Sequence, residues 1–477
     1  MTCVKSAALR AAWASFAFCL PAASGFAQEA VPATVVAQTG APGAPPAPTT
    51  PLAPSTTTGD SARGAARSLG NTAEPSKPVG KTLVDLGVTL TANYTGEAAA
   101  NPSGGIRQGA DYAGQLYLGA DFDMQKLVGI SGNAVHFAIT DRHGSSLAAQ
   151  DIGNNTSVQE IYGTQNLHLA ILTVEQKLLD GHLDFEAGRT TANIAFLNSP
   201  IYCNFQTNSA CGNPTFIFKD SNFSYFPDSS WGGHVKLWFD DRVYLHVGAY
   251  EVNPTDRLLR NNGFTFGTAT ASGVTVPYEL GYGTTFDNDR LPRHYQIGGW
   301  FDDSSYADPF TDVNGRPQVL TGAASATDHG RAGLFARFDQ MIWRPDNAKQ
   351  RGLTLFGVAM TNTEGHVTEK QYYELGLLQT GTFPGRDLDT LGFLINDQEF
   401  SNLALERIEL ASGRTNIPRR EVMMELAYGV QVNNAIRISP NLQYIINPDQ
   451  QAEPSRPENI PDAFVIGVKF TVDFLSL

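Results

Sequence analysis

Phe464-Val465-Ile466-Gly467-Val468-Lys469-Phe470-Thr471-Val472-Asp473-Phe474 is the stretch that decides the fold. Its even-numbered positions are all large and apolar, while its odd ones include Gly467, Lys469, Thr471 and Asp473. A period of two means a strand with one apolar and one polar face. Strands of soluble sheets average about 5–6 residues, whereas a tilted strand needs about 9–11 to cross a bilayer. Lys469 tells the faces apart. On the lipid side near mid-bilayer its ammonium would cost roughly 2–4 kcal/mol, so the Phe464–Phe474 face is expected outside and Lys469 inside.

The same alternation recurs upstream, in Leu86, Val88, Leu90, Ala92 and Tyr94, in Leu116, Leu118, Ala120 and Phe122, and from Val422 to Val432. Segments of this kind are expected near 84–97, 113–123, 133–141, 166–177, 182–189, 231–239, 242–252, 274–283, 293–303, 330–343, 352–362, 370–380, 388–397, 419–432, 436–447 and 463–474. Connections after even-numbered segments are short, as in Leu178-Leu179-Asp180-Gly181, Asp240-Asp241 and Asn433-Asn434-Ala435. Those after odd-numbered ones are mostly long, such as 98–112, 142–165, 190–230 and 398–418. An even strand number with alternating short and long connections marks an outer-membrane barrel, short turns and both termini periplasmic. A soluble sandwich or propeller would show shorter strands and no such alternation. The expected fold is therefore all-β: a transmembrane antiparallel β-barrel of about sixteen strands, closed because lipid leaves no backbone group unpaired. Tyr94, Phe122, Tyr444 and Phe474 lie near strand ends, where an aromatic girdle belongs.

Composition agrees. Of 477 residues, 17% are charged against roughly 25% in an average soluble domain. No apolar run approaches the ~20 residues of a membrane-spanning helix, and mean hydropathy is −0.19. A net charge of −14 excludes a nucleic-acid binder, which would need a basic face. At the start, Lys5 and Arg10 precede the apolar Ala11–Ala23, and Gly25-Phe26-Ala27 offers a cleavage site, so residues 1–27 read as a secretory signal peptide. Residues 28–79 carry nine of the 27 prolines and almost no large apolar side chain, the composition of a disordered periplasmic extension. The barrel takes residues 80–477. Cys3 and Cys19 leave with the signal. Cys203 and Cys211 remain, and in an oxidising compartment they are expected to form a local disulfide.

Several phrases resemble the carbohydrate-selective outer-membrane porins of the OprB type. They include Thr95-Gly96-Glu97, Asn101-Pro102-Ser103-Gly104-Gly105 through Arg107-Gln108-Gly109, Arg142-His143-Gly144 and Glu175-Gln176-Lys177-Leu178-Leu179-Asp180-Gly181. Further on come Tyr202-Cys203-Asn204-Phe205, Tyr250-Glu251-Val252-Asn253-Pro254, Trp343-Arg344-Pro345, Phe383-Pro384-Gly385-Arg386-Asp387 and Pro440-Asn441-Leu442-Gln443-Tyr444. The matches run in order from about 83 to 474. The resemblance implies a sixteen-stranded porin passing glucose-like sugars and small polyols by facilitated diffusion. Of the family's opening segment only Leu83-Val84-Asp85-Leu86-Gly87 is matched.

A sugar passes if the bore replaces part of its water without holding it. By parity the lumen set includes Asp121, His136, Glu186, Lys236, Trp238, Trp300, Arg337, Asp339, Glu374, Glu425, Arg437 and Gln443. Arg337, Asp339 and Glu374 could hold hydroxyls through charge-assisted bonds, and Trp238 and Trp300 could stack on a pyranose. Glu97, Arg107, Arg142 and Glu175 join them as candidate sugar contacts from the family-like phrases. The 190–230 connection is expected either to fold into the barrel and narrow it or to lie on the surface.

Two other classes compete: a barrel enzyme acting on glycans and a structural barrel with a plugged pore. No Gly-x-Ser-x-Gly or His-Glu-x-x-His pattern supports the enzyme. No catalytic residue, cofactor or metal is expected. Expected partners are small carbohydrates, outer-membrane lipid and lipopolysaccharide, and the barrel-insertion machinery, with a homotrimer left open.

Overall fold

A computed structural model describes residues 78–476 apart from 200, 211, 212, 259 and 348. The signal peptide expected at 1–27, nearly all of the Pro-rich segment and Cys211 of the expected disulfide lie outside the described residues. From Val88 onward the chain forms a closed antiparallel barrel of sixteen strands in sequence order, with the first paired to the last. The strands are β1 (Val88–Ser103), β2 (Ala110–Asp123), β3 (Asn133–Gly144), β4 (Leu167–Leu178), β5 (Leu183–Thr190), β6 (Ser230–Trp238), β7 (Val243–Val252) and β8 (Gly273–Gly283). They continue as β9 (Arg293–Asp312), β10 (Ser325–Trp343), β11 (Gly352–Glu364), β12 (Glu369–Thr380), β13 (Thr390–Phe400), β14 (Arg420–Gln431), β15 (Ile436–Ile446) and β16 (Ala463–Asp473).

Each expected segment is a strand, and the differences are local. The first begins at Val88, because Pro78–Asp85 is helical and the chain turns through Gly87 at a φ of 95°. A Cβ there would stand 2.8 Å from the Lys126 Cβ, so the turn needs glycine twice over. Strands β9 and β10 run well past their expected ends, and β11 passes to β12 through only 365–368, which interrupts the short–long alternation of connections.

Burial runs opposite to that of a soluble protein. In β16, Ile466 and Val468 are exposed, as is Phe474 just beyond it, while Val465, Lys469 and Thr471 are buried. The outer wall is apolar and the interior polar, as a lipid-facing barrel requires. The seam shows why the sheet closes. β1 and β16 align Thr95 with Thr471 and Glu97 with Lys469. The first pair lies 3.3 Å apart, hydroxyl to hydroxyl, and the second is an ion pair at 3.1 Å. Placing lysine at Val468 instead, one position from Lys469 but on the lipid face, should cost about 2–4 kcal/mol. The Val468→Lys variant is expected to lower the urea midpoint of the protein refolded into lipid vesicles by that amount, read by heat-modifiable gel mobility.

Candidate functional site: a strapped polar bore

The 191–229 connection between β5 and β6 enters the barrel. Within it Phe196, Tyr202, Phe205, Phe216 and Phe223 are buried, while Phe218 is exposed. Phe196 stacks on His246 of β7 at 3.9 Å between ring centroids, and Phe216 meets the edge of Trp300 of β9. Tyr202 and Phe205 both pack on Phe356 of β11. Burying a phenylalanine contributes roughly 1.5–3 kcal/mol, so these rings hold the segment as an internal strap.

Polar anchors from the wall then fix the strap's backbone. Glu425 accepts the amide protons of Gln206 and Thr207, each at 2.8 Å. Lys469 donates to the Phe205 carbonyl at 3.2 Å, and Arg337 donates to that of Asn198 at 2.6 Å. Asp220 accepts from the amides of Thr368 and Glu369, both at 3.0 Å, and from Asn362 at 2.7 Å. Burial pushes the Asp220 carboxyl up to about 7, and repulsion by Glu369 adds to it. The strap is also tied to the 145–166 connection, where Glu160 donates to the Gln206 carbonyl and Thr164 to Asp228. On the opposite wall Phe226 packs near Tyr117 and lies under the Arg142 guanidinium, 5.7 Å from the ring centre. The strap therefore spans the bore from wall to wall.

Toward the ends of the strands joined by Asp180-Gly181 and Asp240-Asp241, the wall carries a belt of acids and bases. Strand register places Asp121 beside His136, Glu175 beside Glu186, Glu186 beside His234, Lys236 beside His246 and His246 beside Glu279. His136 bonds Asp121 at 2.9 Å and Glu175 at 3.3 Å. Farther round, Arg337 bridges Gln296 at 2.7 Å and Asp339 at 2.8 Å. Lys236 lies over two rings, 4.7 Å from the centre of Trp238 and 3.8 Å from that of Tyr244.

The candidate residues fall into three groups. Glu175, Trp238, Arg337 and Asp339 sit in or beside the belt, and Arg142 faces the strap while donating to Gln115 at 2.7 Å. Glu97 and Glu374 are locked in the packing. Glu97 is 0% exposed, pairs with Lys469 and accepts the Ile161 amide. Glu374 lies 2.8 Å from the Tyr372 hydroxyl, which also reaches the Ser209 carbonyl at 2.8 Å. Trp300, 0% exposed, has its edge against Phe216, and Arg107, on the connection after β1, pairs with Asp151. Of the rest of the parity set, Asp121 and His136 pair within the belt, and Glu186, Lys236, Glu425, Arg437 and Gln443 are buried. Sequence reasoning missed Gln206, Thr207 and Asp220 of the strap, because loop residues have no periodicity to assign them a face. It also passed over Tyr244 and Glu279, whose inward parity was the available signal.

A sixteen-stranded barrel with an apolar exterior, a charged interior and an inward-folded connection is an outer-membrane diffusion channel of the porin class. The family model described as "Carbohydrate-selective porin, OprB family" matches residues 107–474, and the chain belongs to that family. It is 29% identical to Porin B of Pseudomonas aeruginosa over 411 residues, covering 82% of this chain and 88% of that one. The putative porin QuiX of Acinetobacter baylyi is 28% identical over 416 residues, with 82% and 90% covered. The high-pH structure of Pseudomonas putida OprB superposes with a TM-score of 0.75 at 29% identity, covering 83% of this chain and 96% of that structure. The protein is thus a carbohydrate-selective porin of the outer membrane of a Gram-negative bacterium. Its relatives are channels rather than enzymes, which removes the hydrolase alternative.

Proposed function

We propose that the bore passes glucose-like sugars and small polyols by facilitated diffusion, with the strap that narrows it as the selective element. The observation that carries this reading is the strap itself, held across the lumen by Glu425, Lys469, Arg337 and Asp220. A molecule that squeezes past it then meets the belt, where Glu175, Arg337 and Asp339 offer bonds to hydroxyls and Trp238 a stacking face. Binding near millimolar, about −4 kcal/mol, would suit passage, since tighter binding slows exit. Glu97, Glu374, Trp300 and Arg107 act on sugar through the strap and the outer connections whose geometry they share.

The remaining assignments belong to the same reading. Residues 1–27 direct export and are removed, 28–79 form a periplasmic extension, and 80–477 form the barrel. Short turns and both termini face the periplasm. Cys203 and Cys211 close a loop within the strap. Lipopolysaccharide surrounds the outer rim, the barrel-insertion machinery assembles the chain, and a homotrimer is its candidate assembly.

Swelling of proteoliposomes tests the function. Vesicles carrying the protein should swell fast in glucose and slowly in a trisaccharide. Trp238→Ala should reduce the glucose rate severalfold while leaving conductance in potassium chloride nearly unchanged. Equal swelling in both sugars, or a Trp238 variant indistinguishable from wild type, would contradict selective passage at this site.

A further inference from the structure

Asp308, Asp328 and His366 form a second constellation, outside the membrane-spanning wall and unconnected with the bore. β8 pairs with β9 only as far as Asp302, and β10 pairs with β11 only from Ala332 onward. Beyond those points β9 and β10 pair with each other, as in Thr327 with Ala307 and Asp328 with Tyr306. They make a hairpin that runs beyond the flanking strands at the rim, with the helix Asn402–Ser412 packed against it. His366, in the 365–368 turn between β11 and β12, reaches across to it.

One ligand atom from each residue, the imidazole Nδ1 and a carboxylate oxygen of each aspartate, falls within 4.8 Å of the other two. His366 Nδ1 is 2.7 Å from Asp308 Oδ2 and 3.4 Å from Asp328 Oδ2. The other atoms of both carboxylates are already oriented. Asp308 is buried, and its Oδ1 accepts the amides of Phe310 and Thr311, both at 2.8 Å. Asp328 Oδ1 accepts the His329 amide at 2.8 Å, and its Oδ2 accepts the Tyr306 hydroxyl at 3.1 Å. Tyr306 in turn receives the His366 amide at 3.0 Å. The nearby Arg331 does not neutralise the pair, since its guanidinium bonds Asp302 and lies over the Tyr306 ring.

We infer that Asp308, Asp328 and His366 bind one borderline divalent transition-metal ion, zinc by preference, which clamps the β9–β10 hairpin to the β11–β12 turn. Metal–ligand bonds of about 2.0–2.2 Å in a tetrahedral arrangement set ligand atoms roughly 3.3 Å apart. The 3.4 Å pair already fits, and the 2.7 Å pair must open by about 0.6 Å, a shift within reach of a side chain on an exposed four-residue turn. The metal takes the place of the proton shared between Nδ1 and Asp308, and water completes the shell. Calcium and magnesium fit poorly, because they take six or more oxygen ligands and an imidazole is not among those they favour. Oriented outer partners of the kind that Tyr306 and the Phe310 and Thr311 amides supply are a regular property of metal sites.

Cobalt(II) is the probe, titrated into the untagged full-length protein in detergent. One equivalent should produce visible d–d absorption, displaced by zinc and not by an equal concentration of calcium. Asp308→Asn and His366→Ala should each weaken cobalt binding by roughly 10–100-fold or more, while His143→Gln leaves it unchanged. Zinc should also slow proteolytic cleavage within 303–331 in the wild type but not in His366→Ala. The Asp308 and His366 variants lie outside the barrel wall, so heat-modifiable mobility should confirm that each is folded. Absence of cobalt absorption in the wild type, the same absorption in His366→Ala, or displacement by calcium would each overturn the assignment.

Discussion

Replacing residues 191–229 by a short Gly/Ser turn is expected to raise single-channel conductance severalfold and to abolish discrimination between glucose and a trisaccharide. The barrel should tolerate the change. Thr190 and Ser230 are register partners at the point where β5 and β6 part, so a tight turn can join them as an ordinary hairpin. A sixteen-stranded barrel without its inward connection has a wide aqueous bore, and the rings now filling it, from Phe196 to Phe223, all leave together. The wall anchors Glu425, Arg337 and Lys469 lose backbone partners and gain water, which satisfies them at little cost in an open bore. Planar-bilayer recording gives the conductance, and liposome swelling gives the selectivity. A folded deletion variant with wild-type conductance would show that the narrowing lies elsewhere.

The second large effect is expected at the seam. Lys469→Met removes the cation facing Glu97, a group with 0% exposure, and the donor to the Phe205 carbonyl. Breaking a buried pair by deleting one partner typically costs about 3–5 kcal/mol, because the other charge is left uncompensated. The loss should appear as a lower urea midpoint. Adding Glu97→Gln should restore much of it, since the stranded charge is then gone, and the coupling in this double-mutant cycle isolates the pair from the strap contact. Additive losses in the double variant would mean that Lys469 acts through Phe205 alone.

Both predictions depend on features of different legibility. That Lys469 points inward followed from its place in an alternating stretch, and the structure places it there. That it meets Glu97 and the strap did not follow, because those partners are 372 and 264 positions away. Trp300 shows the same limit. Its parity correctly put it on the inner face, yet the edge contact with Phe216 depends on a connection with no period of its own. His366 had no sequence signal at all. It gained its neighbours only because β9 and β10 rise past the rim and β11 turns sharply back.

By itself the sequence determined the barrel: sixteen strands, their order, and which side chains face lipid or water. Lipid and water partition side chains one residue at a time, and that choice leaves a two-residue rhythm in every strand. Only the tertiary structure decided where the 191–229 segment runs, which lumen charges it covers, and which rim residues converge. Those outcomes come from contacts between distant parts of the chain, set by barrel closure and the fit of rings and backbone groups inside it, and such contacts leave no local pattern.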